Sequence, residues 1–233
     1  MDKKYSITFQ TYHNERLKEI SFHGKIMRPL YVRLIFDRVP IYFKSFFFDL
    51  FSQPRYGLEI NNRIYGPDIK DIIEKEEALV SFVIDKHIDN FSHEQFKISY
   101  AYYGRDLLNM MEDGFIDYMY HFFADEGIPY FASVLRNGLQ EKRAFPTVEN
   151  LRLVLKPEQY RKLIENSLYN APPYHLLHSF IEKPQVTSLP CFTVMDWEQP
   201  GIEEQFKEFV KKRHLEFDPS KAVAKIHSYI HRT

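Results

Sequence analysis

The chain has 233 residues, 44% of them hydrophobic, with 21 Phe and 16 Tyr against one Trp, ample material for the core of one large domain or two small ones. A single cysteine, Cys191, excludes an intrachain disulfide and a multi-cysteine zinc cluster, and no stretch nears the roughly 18 uninterrupted apolar residues of a membrane helix, so a soluble, cytoplasmic protein is expected. The formal net charge of −1 gives no global sign of a polyanion binder, yet residues 1–64 hold eleven basic and six acidic side chains, an excess of five that leaves −6 for the remainder.

The first residues alternate and are rich in β-branched and aromatic types, which predicts a strand over Tyr5 to Tyr12 and a second over Leu17 to Phe22. A hairpin follows, with arms Pro29 to Phe36 and Val39 to Phe47 joined at Asp37-Arg38, although neither turn residue is the glycine that a tight primed turn prefers. Period two sets Leu30, Val32, Leu34 and Phe36 on one face, the core side, and Tyr31, Arg33 and Ile35 on the other. From Pro67 the apolar spacing becomes helical, predicting a helix over about 68–88. Ser92-His93-Glu94-Gln95 reads as the start of a short helix, and Leu107 to Phe123 as a buried one that breaks at Gly127-Ile128-Pro129. Further helices are predicted at about 129–141, 157–169, 173–182, 201–215 and 219–231. Pro-rich connections stand at 170–173 and 183–190, the second expected as an exposed linker. The sum is an α+β chain: an antiparallel sheet and hairpin region packed on a helix over residues 1–90, then a mainly helical region over 91–233 with a Pro-rich connection near 183–200.

The segment Pro29-Leu30-Tyr31-Val32-Arg33-Leu34-Ile35-Phe36-Asp37, with a strand before it and a second hairpin arm after it, resembles the arm-type DNA-binding domain that begins many bacterial tyrosine recombinases. In that family a Pro-Ile-Tyr-Leu-Arg-Ile-like strand opens a hairpin, three strands pack on one helix, and the sheet lies against DNA. The resemblance covers at most residues 1–90. Asp37-Arg38-Val39-Pro40 stands where the family has Asn-Gly or Asp-Gly and a basic pair, and the recombinase catalytic domain has no counterpart here. The resemblance therefore implies a DNA-binding or targeting module without strand-transfer chemistry.

The residues proposed for nucleic-acid contact are Arg28, Arg33, Arg38 and Lys44 on phosphates, with Tyr31 and Tyr42 packing on sugars or bases. His175/His178 and His227/His231 are spaced so that each pair can face one metal ion from consecutive helical turns. Neither has a neighbouring Glu of the His-Glu-x-x-His kind, and no metal or other cofactor is expected. Two-metal nuclease chemistry would require acids such as Asp68, Glu74, Asp106, Glu112 and Asp117 to converge beside a lysine, whereas Glu74 to Glu77 read as the wet face of a helix. No Gly-x-Ser-x-Gly elbow and no glycine-rich phosphate loop occurs among eight glycines, and Cys191 reads as a small buried hydrophobe. The aromatic runs at 46–48, 100–103 and 118–123 exceed what a core of this size needs, so any left exposed would mark a protein partner or a homo-oligomer interface. These readings point to binding before chemistry. They give a DNA-binding accessory protein of a mobile-element, phage-related or antiviral defence system, or an adaptor subunit that touches no nucleic acid.

Overall fold

Alternation at the start of the chain produces strands, as its β-branched and aromatic residues dictate. The computed structural model describes residues 7–61, 63–139, 142–182 and 189–231. It shows β1 (Thr8–His13), a short hairpin of β2 (Ile20–Phe22) and β3 (Lys25–Met27), then β4 (Leu30–Phe36) and β5 (Val39–Lys44). The three longer strands form an antiparallel sheet in the order β1-β4-β5. Its register sets Leu34 between Phe9 and Ile41, and Val32 between Thr11 and Phe43. Leu30, Val32 and Leu34 have no exposed surface, so the expected core face of this arm is the buried one. Of the expected second strand only Ile20–Phe22 pairs, and Tyr5 and Ser6 of the first lie outside the described residues.

The hairpin turn forms without glycine. Asp37 and Arg38 both take positive φ, 49° and 65°, the left-handed pair that a two-residue primed turn demands. The second arm is shorter than expected, because Ser45 ends it and caps α1 (Phe46–Phe51), its hydroxyl accepting the Phe48 N–H at 3.1 Å. Phe46 and Phe47, read as strand, are helical for that reason. A small hairpin of β6 (Leu58–Ile60) and β7 (Arg63–Tyr65) precedes α2 (Ile69–Lys86), which Asp68 caps through the Lys70 N–H at 2.8 Å. Next comes α3 (His93–Tyr103), with Ser92 accepting the Gln95 N–H at 3.1 Å. Apolar residues of α2, among them Ile72, Leu79 and Val83, are fully buried, and α2 packs on β1, α1 and α3. The rings of Phe96 and Tyr100 on α3 meet Phe43 of β5.

Contacts divide the chain into one unit over Met1–Gly104 and another over Arg105–Thr233. The sequence places the end of the first region at residue 90, whereas the contacts divide the chain after Gly104, because α3 packs its Phe96 and Tyr100 rings on Phe43 of the sheet. The second unit holds α4 (Leu107–Asp125), α5 (Pro129–Gly138), α6 (Ala144–Val154), α7 (Pro157–Asn170), α8 (Tyr174–Ile181), α9 (Val194–Trp197), α10 (Ile202–Arg213) and α11 (Pro219–Ile230). Here α4 is central, touching α5, α6, α7, α8 and α11. The α4 to α5 break rests on Gly127 at φ 79°, a conformation that a side chain would strain. Residues 183–188 of the expected linker lie outside the described residues, and Leu189, Cys191 and Phe192 beyond them are buried. The fold class is α+β, and no helix among the described residues is long and apolar enough to cross a membrane.

Candidate functional site

The outer face of the β1-β4-β5 sheet gathers most of the residues proposed for nucleic-acid contact. Pairing sets Arg33 between Gln10 and Tyr42, and Tyr31 between Tyr12 and Lys44. Gln10, Arg33, Tyr42 and Lys44 are exposed, and Tyr12 and Tyr31 are half-buried. The Arg33 guanidinium lies 5.9 Å from the centroid of the Tyr42 ring, which is 56% exposed, a cation–π arrangement that holds the charge flat on the sheet. Lys44 is ion-paired with Asp49, an exposed pair of the kind that contributes little and exchanges readily. Arg38 stands exposed at the hairpin tip. Arg28 sits apart, before β4, donating to the Glu15 carbonyl with its Nε 3.9 Å from Glu19.

The two histidine pairs part company. His178 is buried and stacks on Phe145 at 3.8 Å with planes 4° apart, while its Nε2 accepts a hydrogen bond from Arg143 at 2.6 Å. Burial, and then the Arg143 charge, lower its pKa to about 3, so it is neutral. His175 instead faces Glu149, with Nε2 3.3 Å from Oε1. His227 lies 3.0 Å from Glu203 and stacks with His231. Among the described residues no group of three or more His, Cys, Asp and Glu is placed to hold a metal ion.

The acids considered for nuclease work hold structure instead. Asp68 caps α2, Glu74 pairs with Lys70 at 3.6 Å, and Asp117 pairs with Arg136 at 3.0 Å. Glu76, expected on a wet face, is fully buried. It accepts the Ser45 hydroxyl at 2.6 Å, the Phe47 N–H at 3.2 Å and the Tyr100 hydroxyl, and burial raises its pKa against those donors. Glu112, also buried, accepts the Ala144 N–H and the Tyr174 hydroxyl, each at 2.7 Å. Asp106 accepts the N–H groups of Leu108 and Phe192, each at 3.1 Å, and burial raises its pKa from 3.8 to about 6.

Sequence reasoning missed a cleft of about 810 Å³ in the second unit, walled by α6, α7, α8 and α10. One wall is α6, which has no cap signal in its own sequence. Glu149 of α6 is its fixed point: Oε1 takes the Tyr160 hydroxyl and His175 Nε2, each at 3.3 Å, and these bonds hold its carboxyl below the usual range. The Tyr160 phenol is pushed up to about 12 by burial and by Glu149. Arg152, Arg161 and Arg213 add positive charge to the polar lining, which also holds Glu165, Ser179, Glu182 and His214. Comparisons with known protein families, with curated proteins and with solved structures found no match to this chain.

The aromatic runs turn inward. Phe47, Phe48, Phe122 and Phe123 are buried, and Phe46, Tyr100, Tyr102, Tyr103, Tyr118 and Tyr120 are half-buried. The large exposed apolar side chains lie elsewhere, notably Tyr130 at 89% and Val134 at 67% exposure, one turn apart on α5.

Proposed function

We propose that the protein is a non-catalytic DNA-binding accessory factor that lays the outer face of the β1-β4-β5 sheet against the duplex. Arg33 carries this reading. It is exposed at the middle of the sheet face, it is braced on Tyr42, and among the described residues it has no carboxylate partner. An arginine with a purely structural task is ordinarily paired or packed under other groups. Lys44 beside it and Arg38 at the tip extend the positive row, while Tyr12, Tyr31 and Tyr42 offer flat surfaces to sugars and bases. Arg38 adds weight because it occupies a left-handed conformation that glycine adopts at less cost. The recombinase-arm resemblance supports a mobile-element, phage-related or defence setting.

Fluorescence anisotropy with a labelled short duplex at low salt tests this. The parent protein binds, and Arg33→Gln, an exposed change that leaves the melting temperature in place, weakens binding by about tenfold or more. A parent that does not bind, or a variant that binds equally well, contradicts the reading.

Tyr130 and Val134 favour a second reading, an adaptor that holds a protein or a second copy of the chain along α5. Sedimentation of the parent and of Tyr130→Ser tests it: self-association or partner retention that the substitution abolishes supports an interface, and an unaltered monomer counts against one.

A further inference from the structure

The cleft walled by α6, α7, α8 and α10 lies outside the DNA-binding reading, and its lining has a chemistry of its own. Arg152, Arg161 and Arg213 line it together with the carboxylates Glu149, Glu165 and Glu182. Among the described residues none of the three guanidinium groups has an ion pair or a hydrogen bond, and the Arg152 charge acts on Glu149 from nearby without a bond to it. Arg213 instead lies over the Phe209 ring, its Cζ 4.6 Å from the centroid. Cations near helix C-termini complement the helix dipole, and that accounts for Arg152 and Arg213, each in the last turn of its helix. It does not account for Arg161, the fifth residue of α7, which lies beyond the first turn and far from the C-terminal end that favours a cation. Guanidinium groups left unpaired around a concavity are matched by phosphate oxygens.

The remaining lining is unlike a site for a bare anion. Phe145, Tyr160, Ile164 and Leu176 give it an apolar side, with the His175 ring 5.3 Å from that of Phe145. Glu149 stands among them as a fixed carboxylate whose two bonds both go to Oε1, so that Oε2 stays open to accept from a ligand hydroxyl or amino group. A carboxylate there repels a pure polyanion but suits a sugar diol or an exocyclic amine. The volume falls within the range of about 300–1,000 Å³ common to small-molecule sites. We propose that this cleft binds a nucleoside phosphate, with the phosphates on Arg152, Arg161 and Arg213, the ring system against the aromatic wall, and Glu149 accepting from the sugar or the base.

Isothermal titration calorimetry of the full chain with ADP, GDP, CDP and UDP, and separately with inorganic pyrophosphate, tests the assignment. At least one nucleoside diphosphate is expected to bind with a stoichiometry of one and about tenfold or more tighter than pyrophosphate. Arg161→Gln, on an exposed residue, is expected to lower its affinity about tenfold or more, and Glu149→Gln to weaken the nucleotide while sparing or improving pyrophosphate. Arg33→Gln on the sheet is expected to leave nucleotide binding unchanged, which separates this site from the DNA reading. The proposal is overturned if none of the four nucleotides binds, if pyrophosphate binds as tightly as they do, or if Arg161→Gln has no effect.

Discussion

Tyr100 with Glu76 in the first unit, and Tyr174 with Glu112 in the second, repeat one arrangement around a helix start. In each the tyrosine hydroxyl accepts a first-turn N–H, from Phe46 at 3.1 Å or Phe145 at 3.2 Å, and donates to the glutamate. The glutamate accepts the neighbouring N–H, that of Phe47 or Ala144. Groups that lack local caps are thereby satisfied from a distance. Tyr174→Phe leaves the Phe145 N–H unpaired and takes one donor from a buried carboxylate, at a cost of about 1–3 kcal/mol in denaturant unfolding. A loss below about 0.5 kcal/mol would show that the network is incidental. Asp106 sets a pH dependence. With its folded pKa raised from 3.8 to about 6, the native state keeps a proton that the unfolded chain has released. Stability is therefore fully present below about pH 4 and falls as pH climbs through about 6, by about 3 kcal/mol. His178, lowered from 6.5 to about 3, gains stability with rising pH over an overlapping window and masks the trend in the parent. Comparing parent with Asp106→Asn cancels the histidine. The advantage of the asparagine variant should grow between about pH 4 and pH 6 and level off above, and a difference independent of pH would show that Asp106 titrates normally.

At the scale of elements, the hairpin prediction carries a built-in conflict. Replacing Arg38 by Gly relieves a left-handed residue and should raise stability by about 1 kcal/mol, while removing a charge from the tip should weaken DNA binding. Thermal melts and anisotropy on the same variant read both effects. A variant that is more stable and binds as well as the parent would remove Arg38 from the interface.

The β4 and β5 arms were legible because period two alone puts Leu30, Val32 and Leu34 inside. The start of α1 was not, because Phe46 and Phe47 read as a continuation of the strand. Ser45 and the remote Glu76 decide otherwise. Helix α6 went unread for the same cause, since its first N–H groups are held by Glu112 and Tyr174 rather than by a neighbour in sequence. With α6 missing, the cleft around Glu149 had no wall and could not be foreseen. The outer-face residues Tyr31, Arg33, Tyr42 and Lys44 were legible because strand alternation places them without reference to the rest of the fold.

For the whole molecule, the basic excess belongs to the strands rather than to the unit that holds them. Residues 1–64 carry an excess of five, but over Met1–Gly104 fifteen basic residues face fourteen acidic ones, because the segment from Asp68 to Glu94 is acid-rich. Attraction to a polyanion is therefore local and short in range, and salt screens it within about 8–10 Å. The most direct test of the central claim is the dependence of duplex affinity on salt concentration, measured by anisotropy for the parent and for Arg33→Gln. Three sheet-face contacts from Arg33, Arg38 and Lys44 predict a slope of log affinity against log salt near −3, with the Arg33 variant shallower by about one. An affinity independent of salt, or slopes that coincide for the two proteins, would contradict it.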